Sequence, residues 1–545
     1  MMIKKDFQKP SNWLQRIRTS PLLVPLSIFG VSLLIYAYIG WIGSYVIEIY
    51  IYDDGLARIS QALIVFYSRD PHLAAIGFVW MPLPVLSNLP LVLLLKPFNL
   101  ILFVGPLMSA IYSAFALTQL NEILKYFQLR THWRILWIVL FGIHPIIVQN
   151  ATMGFSEAPF LAFLFAAINN LFSWLKNHKT NHIIMAGIYS TLALFCRYEA
   201  IFLIIALCIV MMLDWLRTEN HFSPSFLEAN LITFLVPSLY GLMFWMFTNW
   251  LIMGNPIHFL VGKGSTLTTP DTARLVGPTH PFYYAYDSLS GSFSLLIKEA
   301  VTLAPILLVA TLLLGMVIVL KKRWFEIGYL IIGWSILAFT FFTAYRGSLP
   351  PFSRYFFWVV PAGILIAGAL HRFSENKLFR NFVAVGTSIV MIFTILGLTS
   401  HAFGLFPEHT PQRLLGAFLV PAEVEDVHTV QGWLDEYKEV ALFLNKQPPG
   451  HMTILDNAIG NPIDLFLERP YEIVRTTDTD FFPILRSIID NVDQVLIPEP
   501  TFDAIGRSDI LNYYPGMYEG KLKWAKLIHE FPGSHHWRLF QITSP

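Results

Sequence analysis

Four short clusters of ionisable residues lie beside or inside apolar stretches of this 545-residue sequence, where charge is costly. The first is Tyr52-Asp53-Asp54-Gly55-Leu56-Ala57-Arg58, and the second closes Asn150–Glu157 with Ser156-Glu157. The third is Arg197-Tyr198-Glu199, and the fourth pairs Arg346 with Arg354, in Tyr345-Arg346-Gly347-Ser348 and Ser353-Arg354-Tyr355. A carboxylate so placed can take a proton from a hydroxyl within hydrogen-bond reach. A guanidinium can grip a phosphate through two parallel N–H donors. Each cluster also has a plainer reading. Adjacent carboxylates after a span can be solvated loop residues, and Glu157 can cap a helix whose N-terminus attracts negative charge. Arg197 and Glu199 can simply close a break between two helices, and interfacial arginines can snorkel to water.

The elements that must position these residues follow from composition. Hydrophobic residues make up 55% of the chain, charged residues only 13%, and the mean hydropathy is +0.55. Soluble domains carry about 25% charge, so one large soluble enzyme and a disordered chain are both excluded. With 37 Lys+Arg against 36 Asp+Glu, no basic field exists to hold a nucleic acid. Cys196 and Cys208 both sit in apolar runs and read as small buried hydrophobes.

A helix needs about 20 mostly apolar residues to cross a bilayer. Pro21–Trp41, Leu100–Leu120, Trp133–Val148, Ala158–Leu175, Leu231–Met253, Val301–Leu320, Phe325–Phe342, Tyr355–Leu370 and Val383–Thr399 qualify. Ile183–Leu213 reads as two short helices meeting at Arg197-Tyr198-Glu199. The expected fold is mainly α, a polytopic bundle of about eleven spans. Pro82–Pro97, with its prolines, reads as a re-entrant or interfacial helix. Lys and Arg collect in cytoplasmic loops, and here they fall at Lys4 to Arg18, Lys125 to Arg134, Lys176 to Lys179, Arg217, Lys321 to Arg323 and Arg372 to Arg380. That pattern puts the N-terminus in the cytoplasm and all four clusters on the opposite side.

Three segments then lie outside: loop 42–99, loop 254–299, and a C-terminal tail whose charge content rises. Within the first, Leu56–Tyr67 is expected as an amphipathic helix lying on the membrane. The tail is expected to be a small α/β domain, with a helix over Thr429–Asn445 and short strands at His451–Leu455, Glu472–Val474, Gln494–Ile497, Ala525–Phe531 and Trp537–Ile542. The division is a transmembrane module over 1–402 and an extracytoplasmic α/β domain over 403–545. In the tail, Asp478-Thr479-Asp480 looks like the metal-binding Asp-x-Asp of nucleotide-sugar enzymes, but such tripeptides are common by chance. Asp456-Asn457 ends a strand where α/β sheets often contact ligands, and a turn with local Asx hydrogen bonding is the favoured reading there.

At these residues the chain resembles the GT-C superfamily of membrane glycosyltransferases, which includes protein O-mannosyltransferases and the lipid A aminoarabinose transferase. The resemblance rests on Asp53-Asp54 after the first span, the long first loop with a proline-rich element, Ser156-Glu157, the stretch Leu192–Glu199, and Arg354-Tyr355 before an apolar, proline-containing helix. It covers about Pro21 to Thr399. It implies transfer of a sugar from a polyprenyl-phosphate donor to an extracytoplasmic hydroxyl of a glycan, lipid or protein, with inversion, in a multi-pass protein of the membrane. Asp54 would be the base, with Asp53 as the alternative. Glu157 would orient the acceptor, or hold a divalent cation together with Asp54. Arg197, Arg354 and Arg58 would bind the lipid phosphate. The rival class is a multi-pass transporter or flippase, which would be expected to show inverted halves; none is evident in the sequence.

Overall fold

The computed structural model describes residues 23–46, 48, 53–218, 223–262, 265, 281–350, 352–399, 425–456, 460–501 and 508–543; the side chains of 53, 281 and 425–433 lie outside that description. Eight described helices are long and apolar enough to cross a membrane: Leu23–Tyr45, Ile101–Tyr126, Glu157–Asn177, Ala200–Arg217, Pro224–Met253, Trp324–Tyr345, Ser353–Phe373 and Lys377–Thr399. Two bent pairs raise the number to ten. Thr131–Gly142 meets Pro145–Thr152 at 68°, and Leu289–Leu303 meets Pro305–Leu320 at 106°. Each second segment starts on a proline, which lacks the N–H and whose ring blocks continuation of the helix before it. The remaining expected span, Thr180–Leu194, has 15 residues, or about 22 Å at 1.5 Å each. That is shorter than the hydrocarbon core. Leu289–Leu303 also begins inside the segment expected to be loop 254–299.

The bundle sorts its helices by which residues meet lipid. Pro224–Met253 presents Tyr240, Met243 and Leu251 outward, each more than 60% exposed. Contiguous apolar exposure on that scale marks a surface that faces lipid rather than water. Glu157–Asn177 and Ser353–Phe373 are instead buried almost throughout and form the centre.

The first loop contains the expected helix. It spans Asp53–Tyr67 and is buried on nearly every side by the rest of the chain. Leu56, Ile59 and Leu63 share one core with Val85, Val92 and Val104, and with Leu434 and Leu465 from the far end of the chain. The C-terminal domain therefore covers this loop helix. Leu83–Leu95 is a short helix with Pro90 inside it.

In the tail, the five expected strands form one sheet. They are β1 (Thr453–Leu455), β2 (Ile473–Arg475), β3 (Gln494–Ile497), β4 (Ala525–Glu530) and β5 (Arg538–Ile542), in the order β2-β1-β3-β5-β4. β1 is parallel to β2 and β3, and β5 is antiparallel to β3 and β4. Alternation with a period of two separates the faces. Ile454, Val474, Val495 and Phe540 enter one core. Leu455, Ile473, Leu496 and Leu539 enter the other, under Tyr437, Val440 and Ala441 of the helix Glu425–Lys446. The boundary expected at 402/403 falls outside the described residues.

A polar clasp joins this domain to the loop helix. Arg69 donates from Nε and Nη2 to Asp478 Oδ2 at 3.1 and 3.0 Å, and from Nη1 to Asp480 Oδ2 at 3.1 Å. Asp70 Oδ2 accepts from Thr479 N at 2.9 Å and from Thr479 Oγ1 at 2.7 Å. The Asp478-Thr479-Asp480 tripeptide is thus a grip on the loop helix, not a metal site. Arg69→Ala is expected to cost on the order of 1 kcal/mol, because Arg69 is 23% and Asp480 47% exposed and screening reduces the pair. Faster amide exchange over Asp53–Tyr67 would register the loosened clasp.

Candidate active site

The site forms where the loop helix meets three breaks in the bundle. Asp54 lies in the first turn of Asp53–Tyr67, and Glu157 opens Glu157–Asn177. Arg197 occupies the break between Thr180–Leu194 and Ala200–Arg217, and Arg354 lies in the short 3₁₀ turn Ser353–Phe356. Residues 300 positions apart thereby meet: Arg354 Nη2 pairs directly with Asp54 Oδ2.

Close backbone approach makes this possible. A Cβ on Gly55 would stand 2.3 Å from the Met153 carbonyl oxygen, so the loop helix rests on the chain just before Glu157 only because position 55 is glycine. Gly154 has φ +73° and lies against Gly105, a backbone state that side chains resist. Gly55→Ala is expected to lift the Asp54 turn away from Arg354. A clash of this kind costs about 1–3 kcal/mol, and a thermal melt paired with an activity assay would measure both effects.

Around the Asp54–Arg354 pair, Arg58 Nη1 donates to the Asp54 carbonyl oxygen at 3.1 Å and Nη2 to Ser156 Oγ at 3.4 Å. Arg197 Nη1 pairs with Glu157 Oε1 at 2.9 Å and donates to Ser156 Oγ at 3.2 Å. Arg197 Nη2 pairs with Glu199 Oε1 at 2.6 Å. Aromatic rings back the guanidiniums: Trp80 lies 4.6 Å from Arg58, Phe155 4.6 Å from Arg354, and Tyr355 5.3 Å from Arg197. Three arginines thus face three carboxylates, Asp54, Glu157 and Glu199, in a largely buried setting.

Burial alone would raise the Asp54 carboxyl, but Arg354 above all, with Arg58 and Arg197, overrides it and lowers the group from about 3.8 to about 2. The stability linked to this ionisation is present above the unfolded value near 3.8 and is lost as pH falls through about 2. From pH 5 upward Asp54 stays a carboxylate.

The structure brings together Asp54, Arg58, Glu157, Arg197 and Arg354. Asp53 starts the loop helix, but its side chain lies outside the described residues. Arg346 stays exposed at the end of Trp324–Tyr345. The use of Asp54 and Glu157 as ligands of a divalent cation does not fit the donor set. Each is engaged by a guanidinium, and no group of three candidate ligands occurs among the described residues. In the tail, Asp456 Oδ2 accepts from the Asp509 amide at 2.6 Å, a local structural bond, and Asn457 lies outside the described residues. Ser156 and Tyr355 stand among the sequence motifs, but their roles, and those of Trp80 and Phe155, were not legible there: Ser156 is the acceptor shared by two arginines, and the three rings flank the guanidiniums. A usable signal was present, since Phe155-Ser156-Glu157 and Arg354-Tyr355 place an aromatic beside a charge.

No family model matches the chain, and no curated protein does. Solved structures do match. The arabinofuranosyltransferase AftD from Mycobacteria is similar at 12% identity and a TM-score of 0.45, over 96% of this chain and 42% of that one. The chain therefore spans less than half the length of that protein. The archaeal oligosaccharyltransferase AglB from Archaeoglobus fulgidus, in complex with an inhibitory peptide and a dolichol-phosphate, is similar at 13% identity and 0.44, over 98% and 75%. ArnT from Cupriavidus metallidurans in the apo state is similar at 12% identity and 0.49, over 98% of this chain and 99% of that one.

Proposed function

We propose that this chain is an integral-membrane glycosyltransferase of the GT-C type, moving a sugar from a polyprenyl-phosphate donor to an extracytoplasmic acceptor hydroxyl. The observation that carries the reading is the meeting of Asp54, Glu157, Arg197 and Arg354, from four separate stretches of chain, at one end of the bundle. It supports the sequence resemblance, which names those same residues. In this reading the N-terminus is cytoplasmic, residues 1–402 form the catalytic module, and the tail 403–545 stands outside and supports the loop helix.

In the proposed step, the acceptor oxygen forms a bond to the sugar's anomeric carbon while that carbon's bond to the phosphate oxygen breaks. The acceptor proton passes to Asp54. The leaving phosphate keeps the bonding electron pair and is stabilised by Arg354, Arg197 and Arg58. One base and no covalent intermediate correspond to inversion. Glu157, held by Arg197, helps orient the acceptor.

The resting charge balance gives this step an order. In the resting site Arg354 Nη2 is taken by Asp54, so an incoming phosphate that engages this nitrogen competes with Asp54. When Arg354 turns to the phosphate, Asp54 loses the partner that holds its carboxyl near 2 and becomes a stronger base. Donor binding thereby activates the base.

Purified protein with a radiolabelled polyprenyl-phosphate sugar and membrane acceptors tests the reading: labelled acceptor and free lipid phosphate are the expected products. Movement of the lipid across sealed vesicles with no sugar transfer would replace it with the transporter.

A further inference from the structure

The helices that present Glu157, Glu199 and Arg354 at their starts run away from the acidic site, and their other ends meet again. Ala200–Arg217 has 18 residues, about 27 Å at 1.5 Å each, so this second meeting place lies across the bundle. There a cavity of about 710 Å³ opens between the helix ends, within the size range of small-molecule and cofactor sites.

Its charges do not balance. Arg217, Lys322, Arg323 and Arg372 line it, against Asp214 and Glu326. Both carboxylates are already engaged: Glu326 pairs with Arg217 at 3.5 Å, and Asp214 faces His178 at 3.9 Å. Arg323 turns to Glu375 at 2.9 Å. Lys322 and Arg372 form no ion pair among the described residues. Arg372 is stacked 4.0 Å over the Tyr126 ring, and its Nη1 is shielded from solvent with no acceptor among the described residues. A sheltered guanidinium nitrogen without an acceptor is costly unless a ligand supplies one.

Lys322 adds a backbone argument. It has φ +54° just past Pro305–Leu320, in the left-handed position that ends many helices and that glycine fills best. A lysine held there is strained, and strain of this kind clusters where a side chain has a task.

We propose that this cavity, separate from the acidic site and independent of its chemistry, binds a phosphate-bearing anion through Lys322 and Arg372. The cavity's aromatic walls and its place at the ends of membrane helices suit a phospholipid head group, and a soluble phosphate compound offers the same chemistry.

The test uses full-length protein in two kinds of nanodisc, phosphatidylcholine alone and phosphatidylcholine with a minor share of phosphatidylglycerol. Lipid retained through detergent exchange is measured by mass spectrometry, and inorganic phosphate binding in the phosphatidylcholine discs by calorimetry. Arg372→Gln removes one donor. Lys322→Gly removes the other and relieves the left-handed backbone, so it is expected to fold at least as well as the parent. Retention of phosphatidylglycerol that falls roughly tenfold or more in both variants supports a lipid source, since one charge-assisted contact is worth about that factor. Phosphate binding that falls likewise supports a soluble source. If the parent holds neither anion, or Lys322→Gly holds them as the parent does, the proposal is wrong.

Discussion

Asp54→Asn is expected to slow sugar transfer by about 10²–10⁴-fold, the usual contribution of a general base, while donor binding survives. The amide keeps the size of the carboxylate but can no longer take the acceptor proton. It also leaves Arg354, only 3% exposed, without its anion. Breaking a fully buried pair costs about 3–5 kcal/mol, but the Asp54 side chain is 31% exposed, so the loss should be well below that. A melting curve therefore accompanies the assay. Arg354→Ala is expected to differ in kind, raising KM for the donor as well as lowering kcat, because it removes a phosphate contact. Asp53→Asn is the control, with a change of no more than a few-fold expected; a loss in that variant and none in Asp54→Asn would reassign the base.

A pH profile tests the coupling of donor and base. kcat/KM reports groups of the free enzyme and kcat those of the complex. With Asp54 near 2 in the resting protein, kcat/KM should show no acid limb from this group above about pH 4. Once Arg354 turns to phosphate, the same group titrates higher. The acid limb of kcat should lie at the higher pH, and coincident limbs would refute the exchange of partners.

The largest expected effect on stability lies outside the site, at Arg475 and Asp464. Both side chains are fully buried, and Arg475 Nη2 pairs with Asp464 Oδ1 at 2.6 Å. Arg475 Nη1 donates to the carbonyls of Pro470 and Ile473, and Asp464 Oδ2 accepts from Ser60 of the loop helix at 3.3 Å. Asp464→Ala leaves a buried guanidinium uncompensated, and a loss of about 3–5 kcal/mol is expected. Arg475→Met with Asp464→Leu should recover much of it, because apolar replacement of a whole buried pair is often neutral. The double variant still lacks the Ser60 contact. If it is stable yet slow in transfer, the C-terminal domain positions the Asp54 helix; if it is stable and fully active, the domain has no such influence.

The sequence was most readable where periodicity is strict. All five strands of the tail fall within or beside their expected runs, because a period of two with β-branched residues has few competing explanations. The helix break at Arg197-Tyr198-Glu199 was legible because three polar residues interrupt an apolar run. The bend at Pro305 was not, since 106° within one pair is an angle no composition encodes. The charged site residues stood out for the same reason as the break: charge is rare in this chain. Their pairing was not legible. Arg354 reaches Asp54 only because Gly55 allows the loop helix to touch Met153, a contact between distant segments. The loop helix is amphipathic by pattern, but that pattern does not reveal that Leu434 and Leu465 of the C-terminal domain pack on it. At Asp478-Thr479-Asp480 the chance reading of the motif stands beside a structural use, since Arg69 pairs with both carboxylates.

The covering of that helix sets a clock on assembly. Ser60 and Asp464 are 404 residues apart, and synthesis at about 5–20 residues per second separates their emergence by roughly 20–80 s. For that interval the growing chain carries Asp54 on a helix without its lid. A ribosome that stalls, or a nonsense codon between Phe373 and Leu434, would yield a membrane-inserted product with every site residue present and the helix that aims Asp54 uncovered. Quality control that inspects this one helix could thus tell finished chains from unfinished ones.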